Sequence, residues 1–296
     1  LIQGPPGTGK TTIIAHLVHK LVKIAEKRQK KPRASLLDYI DLSKTEKGEQ
    51  VPVLLTAFTN QALDNLVLKI GSVFPKLRIL RIGKTTSMNR EVYENSLEKN
   101  CSVQYRFSDG TKETVIKPEK VKRMFNSIDV LASTTTMAGS VLLENLNAKT
   151  VIVDEAAQIV EPSALIALLK GRKFILVGDH QQLPPISEIS LEEIPERTKN
   201  NFKNLGFDLK KGMQLSIFER LIKHYNSEKC FQLLSYQYRM NSIISEFVSR
   251  NFYSGLLNDG EISGVSVGEQ TLNDLFTSFG LKKPYWFMET PLLKQV

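Results

Sequence analysis

The sequence predicts an α/β fold around a parallel sheet, and three observations carry that prediction. Short apolar runs at residues 51–57, 129–134, 150–155 and 173–179 end in small or acidic residues, as strands buried on both faces do. Residues 12–27 place apolar side chains at Ile13, Ile14, Leu17, Val18, Leu21 and Ile24, the spacing of a helix with one buried stripe. Between the opening residues and that helix lies Gly4-Pro5-Pro6-Gly7-Thr8-Gly9-Lys10-Thr11, a glycine-rich turn of the kind that joins a strand to a helix.

Taken in order, only Leu1, Ile2 and Gln3 precede that turn, fewer than the roughly 5 residues of an ordinary strand, so the chain reads as a segment of a longer protein. After the helix, Lys27, Arg28, Lys30, Lys31 and Arg33 open a basic and then polar stretch to Gln50. It suits a solvated loop, a nucleic-acid contact or a localisation signal. Residues 51–57 and 77–82 read as strands. In the polar segment 84–125, residues 103–108 and 111–116 flank Asp109-Gly110 as the arms of a hairpin would. A helix is expected around 217–224, leading to the stretch 231–236 and then a mixed segment. The expected organisation is a first domain over 1–225, with insertions at about 28–50 and 84–125, and the beginning of a second over 226–296.

Of 296 residues, 41% are hydrophobic and 24% charged, a balance that permits a packed core and excludes a disordered chain. The net charge of +9 tilts the choice of partner toward a polyanion. Two cysteines, Cys101 and Cys230, form neither a disulfide framework nor a zinc pair, which fits a reducing intracellular compartment, nucleus or cytoplasm. No apolar run approaches the ~18 residues of a membrane span, so no membrane partner is expected. His16 and His19 lie three apart on the first helix, but with no third ligand nearby they read as a partly exposed pair rather than a metal site.

The glycine-rich turn matches G-x-x-x-x-G-K-[ST] at every specified position, which chance would produce in about one chain of this length in a hundred. Such a loop curls its backbone N–H groups around phosphates at a helix N-terminus, with Lys10 neutralising charge and Thr11 able to hold Mg²⁺. Gly4, Pro5, Gly7, Thr8, Gly9, Lys10, Thr11 and Thr12 are therefore the expected nucleotide-binding residues. Asp154 and Glu155 end the third apolar run. In this context Asp154 suits Mg²⁺ coordination and Glu155 suits orientation or deprotonation of an attacking water, whereas alone they would be two solvated acids. A further strand ends in Gly178-Asp179-His180-Gln181-Gln182-Leu183-Pro184-Pro185, whose amides are suited to sensing a terminal phosphate.

These blocks, with Asp154–Gln158 (D-E-A-A-Q) and Gln237–Asn241 (Q-Y-R-M-N), resemble in type and order the nucleotide-site blocks of superfamily 1 helicases of the subgroup that moves 5′ to 3′. The wording is most similar to the helicase half of the replication helicase–nuclease, with the nonsense-mediated-decay RNA helicase in the same subgroup. The resemblance implies a RecA-like phosphate-loop NTPase domain with small inserted accessory segments, followed by a truncated second RecA-like domain. It implies an ATP-dependent helicase or translocase that uses ATP and Mg²⁺ on single-stranded DNA, with RNA the alternative. It also implies roles for single residues. Gln158 and Gln182 would link the γ-phosphate to the nucleic-acid path, and Arg239 would be an arginine finger supplied in cis. Tyr238 would stack on adenine, although a tyrosine packed at a strand end is an equal reading. In the block 59–66, Thr59 and Asn60 would face the nucleic-acid backbone, as would Thr134. By residue type alone these three are capping or turn residues. Trp286 suits packing of a strand better than stacking on a base.

Two other classes stay in view. A phosphate-loop GTPase should show an N-K-x-D segment, which is missing from the sequence, and a small-molecule kinase leaves Q-Y-R-M-N without a role. A non-catalytic, ATP-switched nucleic-acid clamp could dispense with Glu155.

Overall fold

The computed structural model describes residues 1–30, 49–106, 112–186, 194–204, 215–224 and 230–261. Lys31, Arg33, most of the first expected insertion, the Asp109-Gly110 tip and Trp286 lie outside them. The chain divides into two compact units, one made of Leu1–Gln3 with Lys10–Gln232, the other of Gly4–Gly9 with the residues from Leu233 on.

The first unit is built on a sheet with strands β1 (Ile2–Gln3), β2 (Glu49–Ala57), β3 (Ile79–Ile82), β6 (Val130–Thr134), β7 (Leu146–Asp154), β8 (Phe174–Gly178) and β9 (Gln232–Leu233), in the order β3-β6-β2-β7-β8-β1-β9. The pairs β3·β6, β6·β2, β2·β7, β7·β8 and β8·β1 are all parallel. The α/β class expected from the apolar runs therefore holds.

Alternation along the strands feeds two cores. Val53, Leu55, Val130, Ala132, Ile152 and Val177 point to one face and pack with α1 (Lys10–Lys30) and α2 (Asn60–Val73). Leu54, Leu131, Val151, Val153 and Leu176 point to the other and pack with α4 (Pro118–Ser127), α6 (Glu161–Leu168) and α8 (Ile217–His224). Among the described residues this unit also carries α3 (Leu97–Cys101), α5 (Thr135–Ala138) and α7 (Glu196–Asn204).

The first helix is longer than expected and its stripe is turned. Ile14, Ala15, Val18, Val22 and Ala25 are buried while Ile24 is 40% exposed. The alanines are small enough to lie flat against the sheet, and they set the rotation that the larger residues alone suggested differently. His19 stacks on Phe74 at 4.3 Å and His16 meets the same ring edge-on at 5.1 Å. The two histidines thus pack α1 against the end of α2.

The hairpin forms as β4 (Ser102–Arg106) and β5 (Lys112–Ile116), antiparallel from Ser102↔Ile116 to Arg106↔Lys112. Both flanks of the polar segment that carries it are built into the core through Leu97, Cys101, Val121 and Phe125. At the end of β3, Arg81 is wholly buried and paired with the equally buried Asp64 of α2, an arrangement that persists only when every charge is answered.

In the second unit β10 (Tyr236–Gln237) runs parallel to β11 (Asn258–Asp259), and α9 (Ser242–Phe252) is N-capped by Asn241, whose Oδ1 accepts from the Ile243 N–H. The buried Gln237 side chain fixes the turn between them. Its Nε2 donates to the Met240 carbonyl and to Asp259, and its Oε1 accepts from the N–H groups of Arg239 and Met240.

Candidate functional site

The glycine-rich turn has the backbone its glycines permit. Gly7 and Gly9 adopt φ of 76° and 77°, left-handed values that cost other residues dearly. The Thr8 hydroxyl closes the turn by donating to the Pro5 carbonyl at 2.8 Å. A Cβ on Gly7 would lie 2.5 Å from Cβ of Arg239, and the Gly7 carbonyl accepts from the Tyr238 N–H at 2.9 Å. Gly7 is therefore a glycine for two reasons, its φ and the approach of the 238–239 backbone. Gly4 and Pro5 begin the turn and Lys10 opens α1, whose first turn carries no acidic residue to compete for an anion. Thr11 is half-buried and Thr12 exposed.

The acids end β7. Asp154 is 5% exposed, and its Oδ1 has no hydrogen-bond partner among the described residues. Burial, with the neighbouring Glu155 charge second, pushes its carboxyl up to about 6. A buried carboxylate oxygen without a donor could hold a cation, and both it and the Thr11 hydroxyl are hard oxygen donors of the kind Mg²⁺ takes. Glu155 sits in the left-handed region at φ 50° and ψ 37°, a strained state for a residue with a Cβ. Its carboxylate lies 4.0 Å from the Lys10 ammonium and accepts from Gln158 Nε2 at 3.4 Å. Behind this turn runs Gly178, where a Cβ would stand 2.8 Å from the backbone nitrogen of Ala157.

The strand end after Gly178 is organised by a buried carboxylate. Asp179 accepts from Gln3 Nε2 at 3.1 Å and the Gln181 N–H at 3.2 Å through Oδ1, and from Gln182 Nε2 at 2.9 Å through Oδ2. Gln182 is thus held by Asp179, and Asp179 is tied to the end of β1. Burial lowers the pKa of the adjacent His180.

Thr59 and Thr134 are both helix N-caps, accepting from the Ala62 and Met137 N–H groups. The capping role that their residue type suggests is therefore real. It uses a lone pair of each hydroxyl and leaves the O–H proton to donate elsewhere. The two lie on neighbouring strand ends, since Ala57 is in register with Thr134, and Asn60 follows Thr59 at the N-terminus of α2. Phe58, 49% exposed beside them, was not marked by any motif or period.

In the second unit, Arg239 is exposed and Tyr238 is 51% exposed. The Tyr238 ring lies over Gly260, where a Cβ would come within 2.0 Å of it. One side of the ring packs, and much of the rest is open to solvent.

An AAA domain family matches residues 1–117 and 109–188, and a second AAA domain family matches residues 213–295. An uncharacterized ATP-dependent helicase of Methanocaldococcus jannaschii is 28% identical over 343 residues, covering 93% of this chain and 44% of that protein. The DNA replication ATP-dependent helicase/nuclease DNA2 of Xenopus laevis is 32% identical over 257 residues, covering 87% of this chain and 19% of that protein. Regulator of nonsense transcripts 1 of Caenorhabditis elegans is 29% identical over 280 residues, covering 88% and 22%. The chain spans less than half the length of each of these relatives. Among the described residues, no helix is long and apolar enough to cross a membrane.

Proposed function

From a chain that belongs to the AAA-domain helicases of superfamily 1, we propose an ATP-driven motor that moves on single-stranded nucleic acid. The observation that carries the reading is the acidic turn after β7, where Asp154 keeps a buried oxygen without a partner among the described residues and Glu155 is swung toward Lys10 and Gln158.

Backbone amides of the Gly4–Thr11 loop and the N-terminus of α1 receive the β- and γ-phosphates. Lys10 exchanges its contact with Glu155 for the phosphates, which releases the carboxylate to orient and deprotonate water. Gln158 keeps that carboxylate aimed. Asp154 and Thr11 are the residues that would hold Mg²⁺. When bound, the ion neutralises charge on the phosphate oxygens. Gln182, braced by Asp179, reads the terminal phosphate, Arg239 stabilises charge on the transferred group, and Tyr238 stacks on the adenine. Thr59, Asn60 and Thr134 grip backbone phosphates with short uncharged donors, which hold a strand without reading its sequence.

The substrate we favour is DNA, supported by the motif wording and by the likeness to the DNA replication helicase/nuclease. RNA is the second reading, supported by the likeness to the regulator of nonsense transcripts. A nuclear or cytoplasmic location accompanies either. Steady-state ATP hydrolysis by the full-length protein, without nucleic acid and with single-stranded DNA or RNA of equal length at one salt concentration, separates them. Stimulation by DNA supports the first reading and stimulation by RNA alone the second. An unchanged rate with both would replace the motor with an ATP-switched clamp.

A further inference from the structure

We propose that Arg81, which lies outside every motif block of the site, is a positioning residue that fixes the face Asn60 shows to a nucleic-acid strand. The inference rests on the reading of Asn60 as a backbone contact. Arg81 is 0% exposed. Its guanidinium has three oxygen partners: Nε donates to Asp64 Oδ1 at 2.9 Å, Nη2 to Asn60 Oδ1 at 2.7 Å, and Nη1 to the Ile82 carbonyl. Asp64 is held in turn, its Oδ2 accepting from the Asn89 N–H at 2.8 Å.

A guanidinium offers donors and no acceptor, so the Asn60 atom that meets it must be the carbonyl oxygen. The amide NH₂, on the other branch of the side chain, is thereby turned away from Arg81. Left to rotate, an unbound asparagine would spend part of its time with its oxygen toward the strand, and an acceptor facing an anionic oxygen is repelled. Arg81 removes that choice. The rigid fork matters because it serves Asp64, Asn60 and a backbone carbonyl in three directions, which the single ammonium of a lysine does not reproduce.

Asn60→Ala, Arg81→Lys and the double variant, each in the full-length protein, would be titrated against fluorescently labelled oligothymidylate and oligouridylate by anisotropy at fixed salt. Loss of one hydrogen bond to a charged phosphate oxygen predicts roughly tenfold or more weaker binding for each single variant. The double variant should bind no more weakly than Asn60→Ala alone, because Arg81 acts through Asn60 and the two share one hydrogen bond. Unchanged affinity of Asn60→Ala for both oligonucleotides would overturn the reading of Asn60 itself, and the inference with it. Weakened Asn60→Ala combined with unchanged Arg81→Lys, or with losses that multiply in the double variant, would overturn the inference alone. If Arg81→Lys lacks the far-UV circular dichroism of a folded protein, Asp64→Asn takes its place, since it keeps an oxygen for Arg81 Nε, 2.9 Å away, while removing the charge that holds the guanidinium. The same loss, and the same failure to multiply with Asn60→Ala, is expected of it, and the opposite result again overturns the inference.

Discussion

Gly178→Ala isolates the packing that aims the acidic turn. Gly178 ends β8 without a positive φ, so alanine suits its backbone and even gains about 0.4–1 kcal/mol from a less flexible unfolded chain. The added Cβ, however, meets the nitrogen of Ala157 at 2.8 Å and that of Ala156 at 3.2 Å. Both are backbone atoms in the turn that links Glu155 to Gln158. Reaching ordinary contact from 2.8 Å requires a shift of about 0.6 Å, since such contact begins at 3.4 Å. Overpacking of this kind costs about 1–3 kcal/mol, so the net loss expected from urea denaturation lies between about 0 and 2.6 kcal/mol. Misplacement of catalytic groups by about 1 Å costs up to about 10²-fold in rate. ATP turnover should therefore fall about tenfold or more at saturating nucleotide, with nucleotide affinity changed much less. A variant with wild-type stability and wild-type turnover would refute the claim that Gly178 sets the turn.

Lys10→Ala should abolish ATP turnover, while Glu155→Gln should bind a fluorescent ATP analogue and fail to hydrolyse ATP; normal turnover by Glu155→Gln would remove its water-activating role. Asp154, raised to about 6, binds a proton more readily folded than unfolded, so the metal-free protein should lose stability as pH rises from about 4 to about 6. Asp154→Asn should abolish that slope in denaturation midpoints. Asp129 has the opposite sign: burial pushes its carboxyl up, but hydrogen bonds from the Arg78 guanidinium and N–H outweigh this and hold it below the ordinary value. Its contribution is present above about 3.9 and is lost as pH falls through the depressed pKa, so Asp129→Asn should blunt acid unfolding in that range.

The strands and the phosphate loop were legible because each depends on local pattern: both-face burial leaves uninterrupted apolar runs, and the loop needs glycines at fixed spacing. The phase of α1 was less so, since Ala15 and Ala25 carry little hydrophobic weight in a periodicity yet determine which side fits closely against the sheet. Arg81 and Asp64 were illegible for a different reason. They are charged residues in an amphipathic helix and a strand, and only the tertiary fold brings them together. The Thr59 and Thr134 caps were legible as residue types, while the placing of both on adjacent strand ends follows from the order β6-β2. The left-handed Glu155 had no signal at all, because nothing in D-E-A-A-Q asks for a positive φ.

The pairing of β1 with β8 has a consequence for biosynthesis. Ile2 sits opposite Val177 and Gln3 opposite Gly178, so the strand that leads into the phosphate loop has no neighbour on that side until β8 leaves the ribosome. At about 5–20 residues per second, that wait lasts roughly 9–35 s. Throughout it the nascent chain carries a complete phosphate-loop sequence with no β8 beside its leading strand. Nucleotide capture thus becomes a late event in the life of the new chain, and ribosome-bound lengths that stop short of Gly178 should show no protection of the loop by ATP against proteolysis.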